Sequence, residues 1–417
     1  MILAPFRVRS FRFQWPADLL ASLAFEMETV ILSWYVMVQT GSVLLLTLFG
    51  SLLFLGTLAA PMFGVLSDRL GPRFILIVMR GSYAVLAAIL TLLALTGRLA
   101  PIWIFVVATL VGLVRPNDQA LRNILIGETM PAPRLMGALS FSRATMDSAR
   151  VAGALAGAGL FTVLGIGPAY ILVTALYVAS GGLTFGVARR RLVPDLGASP
   201  RAAVRGAATA AGVSGLRDLK EGLLHVWRTP ALHGPMWLAF LINLTAYPIS
   251  GGLLPYVARQ VYGVDATGLG YLVASFSLGA LIGSIAMVAT GGPRRPERSM
   301  LVYATLWYAV LLGFGFVRTL DAGLAALFLA GIVQSVAMIS MAAWLLAAAG
   351  DRFRGRVMGV RMLAVYGLPL GLMASGALID RIGYAPTIAT LAAVGLVFTL
   401  LAGITWRASL WHRRVAT

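Results

Sequence analysis

The chain has 417 residues, 59% of them hydrophobic and only 12% charged, with a formal net charge of +18. Soluble domains run nearer half apolar and a quarter charged, so these proportions exclude an ordinary water-soluble fold and point to lipid as the solvent. The basic excess is not the footprint of a nucleic-acid binder, because it recurs in short bursts between apolar runs, and the absence of cysteine excludes disulfides, thiolate metal sites and a cysteine nucleophile.

About 20 apolar residues cross a bilayer. Runs of that order fall near 17–39, 43–64, 74–96, 101–124, 136–162, 168–188, 232–257, 268–290, 299–317, 323–349, 357–379 and 386–406, which predicts twelve spans. The first run follows Arg7, Arg9 and Arg12 and continues to spanning length, so no cleavable signal is expected. With the N-terminus inside, the inner segments hold Arg69 and Arg73, Arg134, the stretch from Arg189 to Arg228, Arg294, Arg295 and Arg298, Arg352, Arg354 and Arg356, and Arg407, Arg413 and Arg414. The outer loops hold only Arg98, Arg259, Arg318 and Arg381, an asymmetry that predicts cytoplasmic termini. The longest connection, 189–230, divides the spans six and six, giving expected bundles at 1–188 and 231–417. Within it Leu216, Leu219, Leu223 and Val226 have helical spacing, which predicts an amphipathic helix on the membrane surface.

Ionisable side chains inside spans are costly unless paired or hydrated, so each marks a candidate site. Glu26 and Glu28 lie roughly 14–17 Å into the first span at 1.5 Å per residue. Asp18, Ser22, Glu26, Thr29 and Ser33 form one polar stripe, which favours Glu26 over Glu28 as the cavity-facing residue. Arg143, Asp147 and Arg150 share a face of the fifth span, and Arg115, Asp118 and Arg122 do the same in the fourth. Both triplets are open to a plain structural reading as ion-pair ladders. Glu26 and Glu28 have no Arg on their own helix, so one of them is expected to exchange a proton, whereas Asp147 between two Arg is expected to stay ionised. The second half holds almost no charge in its spans apart from Arg361; Asn243, Tyr247 and Gln334 supply polarity there. A charged half and an apolar half suit an amphipathic substrate. The three histidines fall in or beside cytoplasmic segments, and no metal cluster, phosphate loop or nucleophile–base pair stands in the spans, so neither enzyme activity nor a cofactor is expected.

Between the second and third spans stands Gly64-Val65-Leu66-Ser67-Asp68-Arg69-Leu70-Gly71-Pro72-Arg73. It resembles the cytoplasmic-loop signature of the major facilitator superfamily. Gly71 permits a tight turn, Asp68 can accept from a helix N-terminus, and Arg69 and Arg73 can pair with carboxylates at helix ends. Asp118 is the expected partner of Arg69 or Arg73. Gly64, Asp68, Arg69, Gly71, Arg73 and Asp118 thus read as a conformational latch. The copy at Gly376-Ala377-Leu378-Ile379-Asp380-Arg381-Ile382-Gly383 follows the eleventh span and reads as an outward helix end. Met27-Glu28-Thr29-Val30 through Trp34 to Thr40-Gly41-Ser42, Ala149-Arg150-Val151, and Arg354-Gly355-Arg356-Val357-Met358 resemble the enterobactin-exporter-like branch, which exports siderophores and macrolides. A polar residue is usual at the Glu28 position in that family, which pulls against the stripe argument. Drug exporters often carry Gly-Pro in the fifth span, where this chain has Gly153-Ala154; the Gly153, Gly157 spacing remains as a small-residue packing face.

The resemblance implies an all-α membrane protein of two pseudo-symmetric six-helix bundles in a bacterial inner membrane. It further implies proton-coupled export of a small amphipathic molecule by a monomer, with Arg115, Asn243, Tyr247 and Gln334 lining its path. Uptake, or lipid or lysolipid translocation, on the same fold stays open. Reporter fusions at Gly97 and Asp265 should read outside and fusions at Ala198 and Ala416 inside; an outside reading at Ala198 would break this topology.

Overall fold

The computed structural model describes residues 4–57, 66, 70–188 and 215–406, and these are almost wholly helical. The helices are α1 (Arg9–Thr40), α2 (Val43–Leu52), α3 (Pro72–Leu95), α4 (Pro101–Val114), α5 (Asp118–Thr129), α6 (Ala132–Leu164) and α7 (Ile166–Thr184). They continue with α8 (Gly215–Arg228), α9 (Pro230–Tyr247), α10 (Ala266–Ala289), α11 (Pro296–Phe314), α12 (Leu320–Leu363), α13 (Gly367–Ile382) and α14 (Tyr384–Thr405). Among the described residues, eight stretches are long and apolar enough to cross a membrane: Arg9–Thr40, Pro72–Leu95, Ile166–Thr184, Pro230–Val261, Ala266–Ala289, Leu320–Gly350, Phe353–Ile382 and Tyr384–Thr405. Helix α6 is longer than any lipid crossing requires but carries Arg143, Asp147 and Arg150 inside it.

Helix boundaries follow from glycine and proline. Gly71, Gly165 and Gly383 take left-handed backbone at the N-caps of α3, α7 and α14, which a side chain would resist. The expected single span 101–124 is interrupted. α4 stops at Val114, Arg115–Asn117 form one 3-10 turn, and α5 restarts at Asp118. Pro116 is the cause, because it lacks the N–H that would continue the helical ladder. Gly350, at φ 66°, kinks α12 between the expected runs 323–349 and 357–379. Beyond α9 the helix continues as wide turns at Pro248–Gly252 and Val257–Val261, each closing over five residues. Such π-type turns are rare, and the first begins at Pro248.

The chain divides into two compact units: Met1–Thr40, Leu52–Asp218 and Asp265–Gly270; and Gly41–Ser51, Leu219–Val264 and Tyr271–Thr417. In the first, α6 and α7 pack along α1, and α3 packs on α7. In the second, α11 packs on α12 and α14, and α9 packs on α13 and α14. Small Thr47 of α2 is fully buried there against Gly376, and the Ser51 hydroxyl donates to the carbonyl of Pro369 at 3.1 Å. Large apolar side chains face outward on both units: Leu92, Val163, Val288 and Ile404 are all more than half exposed, while in the first unit Asp18, Glu28, Arg80, Asp118 and Arg122 are buried. That inversion is what a hydrocarbon solvent demands.

The close approach of α1 and α6 depends on two glycines. A methyl group at Gly153 would stand 2.7 Å from the Glu26 Cβ, and one at Gly157 would stand 2.7 Å from the Met27 Cα. Neither target can move without shifting the helix. Gly157→Ala should therefore lower the thermal unfolding temperature of the purified protein by several degrees, an overpacking cost of about 1–3 kcal/mol. Gly159→Ala meets open space and should be neutral.

Candidate functional site

The charged residues of the first unit gather around α1. Asp18 is 4% exposed and pairs closely with Arg80 of α3, which is fully buried. Arg80 also donates to the Thr184 hydroxyl on α7. Arg122 of α5 lies 3.7 Å from the same Asp18 carboxylate oxygen and donates to the Asp18 carbonyl at 3.1 Å and the Ser22 hydroxyl at 2.8 Å. Its other arm pairs closely with Asp118, one turn earlier on its own helix. Gln14 donates to the Arg122 carbonyl at 3.1 Å, and Ser180 donates to the Ala17 carbonyl at 2.7 Å. Two arginines and two aspartates from α1, α3 and α5 thus form one buried, charge-balanced cluster. Desolvation of such charges is offset only when each finds partners, as these do.

Two turns further along α1 the pair Glu26 and Glu28 part company. Glu28 is 5% exposed; Tyr170 donates to one of its oxygens at 3.1 Å and Tyr177 to the other at 2.7 Å. The tyrosines stand seven residues apart on α7, so both face α1. Glu26, on the opposite side, lies 3.6 Å from Arg150 of α6. The expectation that Glu26 or Glu28 exchanges a proton considered arginines of the first span alone; the glycine contacts at Gly153 and Gly157 bring α6 close enough for Arg150, one turn away, to reach Glu26. Arg143 lies 3.3 Å from Asp147, with its own side chain 69% exposed. Arg115, on the 3-10 turn between α4 and α5, places its guanidinium against the ring of Phe25.

Of the latch residues, Gly64, Asp68 and Arg69 lie outside the described residues. Gly71 caps α3, and Arg73 donates to the Phe185 carbonyl at 2.6 Å rather than to Asp118, whose carboxylate Arg122 takes. In the second unit, Gln334 of α12 donates to the Tyr247 hydroxyl at 2.9 Å, and the Tyr247 ring meets that of Trp307 edge to face at 5.3 Å. Asn243 turns back on its own helix, donating to the Ala239 carbonyl at 2.9 Å. Among the described residues, no group of three or more His, Asp or Glu is placed to hold a metal ion.

Sequence reasoning passed over Arg80, Tyr170 and Tyr177. Arg80 carried a signal, being the one charge inside the apolar run 74–96. The tyrosines did not, since nothing in α7 alone says which helix they face.

The major facilitator superfamily model matches residues 15–368, so the chain belongs to that superfamily. No curated protein matches it by sequence. Solved structures with the same fold include a bacterial homologue of the human lysosomal transporter Spinster, at 14% identity over 97% of this chain and 98% of that one, TM-score 0.70. A POT family transporter in complex with 5-aminolevulinic acid shares 12% identity over 96% and 97%, TM-score 0.70. The nucleoside transporter NupG shares 15% over 96% and 100%, TM-score 0.63. The chain is a multi-pass membrane transporter, not an enzyme.

Asp18→Asn should remove the carboxylate that compensates Arg80 and cost about 3–5 kcal/mol of stability. The Asp18→Leu, Arg80→Met double variant should lose much less than the two single changes together, read by thermal unfolding. Additive losses would show that the two charges do not depend on each other.

Proposed function

We propose that this transporter exports a small amphipathic molecule across a bacterial inner membrane by alternating access, driven by protons. Its helices are read as twelve spans in two bundles, 1–188 and 231–417, joined by 189–230, with both termini cytoplasmic. It is placed in the enterobactin-exporter-like branch on the sequence resemblance alone. The observation that carries the coupling assignment is the setting of Glu28. It is buried at mid-helix, and its two oxygens are held by hydroxyl groups, which can donate to a carboxylate or accept from a carboxylic acid. That environment tolerates both protonation states. Glu26, beside Arg150, and Asp147, beside Arg143, are assigned to orienting charge instead. Arg115, whose guanidinium lies against the Phe25 ring, is assigned to the substrate, as are Asn243, Tyr247 and Gln334. Gly64, Asp68, Arg69, Gly71 and Arg73 are assigned to the latch.

Uptake or lipid translocation is the competing reading, because the fold is shared with a transporter in complex with 5-aminolevulinic acid and with a nucleoside transporter, and fold does not fix direction. Compounds that raise the unfolding temperature in a screen of siderophores, macrolides and lipids identify the substrate class. With such a compound, Glu28→Gln in vesicles should abolish transport driven by a pH gradient and keep the thermal stabilisation. Undiminished proton-driven transport in a Glu26→Gln, Glu28→Gln double variant would overturn the coupling. In the same assay Asp68→Asn should express normally and transport poorly; normal transport would reduce the loop to a basic turn.

A further inference from the structure

Helix α8 has two faces with different surroundings. One face is fastened to α12. The His225 ring stacks on Phe353 with centroids 4.1 Å apart and planes within 4° of parallel. Glu221 meets Arg356 at 3.2 Å. Gly222, between them, is buried so tightly that a side chain there would stand 3.0 Å from the Arg356 carbonyl and from Val360.

The opposite face carries Lys220, Leu223, Leu224, Trp227 and Arg228, all exposed. Steps of three and one put these five on a single stripe. Trp227 is 82% exposed, Leu223 45% and Leu224 44%, which is an unusual face to leave in water. One residue, Thr229, separates α8 from Pro230, where a membrane-crossing stretch begins. The Trp227 carbonyl is tied to the His233 ring at 2.9 Å, so the end of α8 cannot leave the start of that stretch. The bilayer surface is therefore within reach of the stripe. The stripe has the composition that such a surface binds: apolar and aromatic side chains for the boundary between headgroups and acyl chains, and a cation at each end for headgroup charge.

We infer that this stripe is a binding surface for anionic phospholipid. Leu223, Leu224 and Trp227 enter the interface, Lys220 and Arg228 hold the negative headgroups, and the His225–Phe353 and Glu221–Arg356 contacts fasten the other side to α12. The inference requires only that Pro230 begins a span; it is independent of substrate, coupling and direction.

The chain has no cysteine, so Leu224→Cys, or Leu223→Cys in a second preparation, gives a single labelling site in the full-length protein. Spin-labelled protein is placed in nanodiscs of phosphatidylcholine alone and with phosphatidylglycerol admixed. The label should collide with lipid-soluble oxygen more often than with a water-soluble nickel complex, and more so with phosphatidylglycerol present. Adding Lys220→Gln and Arg228→Gln should erase that dependence on lipid charge, each cation accounting for about a fivefold change in the embedded population. A label accessible to nickel in both lipids would overturn the proposal. So would a label shielded from both quenchers, which would mean that protein covers the stripe, and so would a response indifferent to phosphatidylglycerol.

Discussion

Four ionisable groups, Asp18, Arg80, Asp118 and Arg122, are buried within helices whose outer surfaces are apolar. In hydrocarbon each alone would be costly, so each can persist only while the others hold their places. Asp18 accepts from α3 and α5 at once, and Arg80 also reaches α7. The Asp18 carboxylate thus ties α1 to α3 and α5, and Arg80 extends the link to α7. Small residues complete the arrangement: Ala17 and Ala24 are fully buried, and Gly153 and Gly157 admit α1 against α6.

This fixed charge cluster sets the context for the residues further along α1. With the helix held in register, Glu28 lies under the two tyrosines of α7 and Glu26 lies toward Arg150 on α6. Two carboxylates two residues apart thus acquire different partners, one neutral and one cationic. That separation is a usual route by which neighbouring acids come to serve different roles. Among the described residues the second unit buries no charged side chain, and its contacts Gln334 to Tyr247 and Thr245 to Tyr308 are between neutral groups. Neutral hydrogen bonds tolerate rearrangement at lower cost than buried ion pairs.

Much of the architecture was legible because lipid imposes length and composition on every crossing helix. The helical runs, the turn glycines at 71, 165 and 383, and the amphipathic α8 all have direct sequence signals. The break at Pro116 was equally visible but was outweighed by the apolar run around it. The site was legible only helix by helix. The order of preference between Glu26 and Glu28 came from the stripe on α1, whereas the partners that distinguish them come from α6 and α7. Arg73 and Asp118 illustrate the same limit: each has the charge to pair with the other, yet Arg122, on the same helix as Asp118, competes at shorter range. Which surfaces meet is a property of packing, and no single segment records it.

The assignment of Glu28 as the group that gains and loses a proton can be examined without knowing the substrate. Infrared difference spectra of the protein in lipid bilayers, recorded as pH is stepped across the neutral range, report carboxylic acid stretches directly. If Glu28 is the proton carrier, a protonated-carboxyl band should grow as pH falls, vanish in Glu28→Gln and persist in Glu26→Gln. A band that survives Glu28→Gln and disappears in Glu26→Gln would contradict the assignment, as would a spectrum with no titrating buried carboxyl at all.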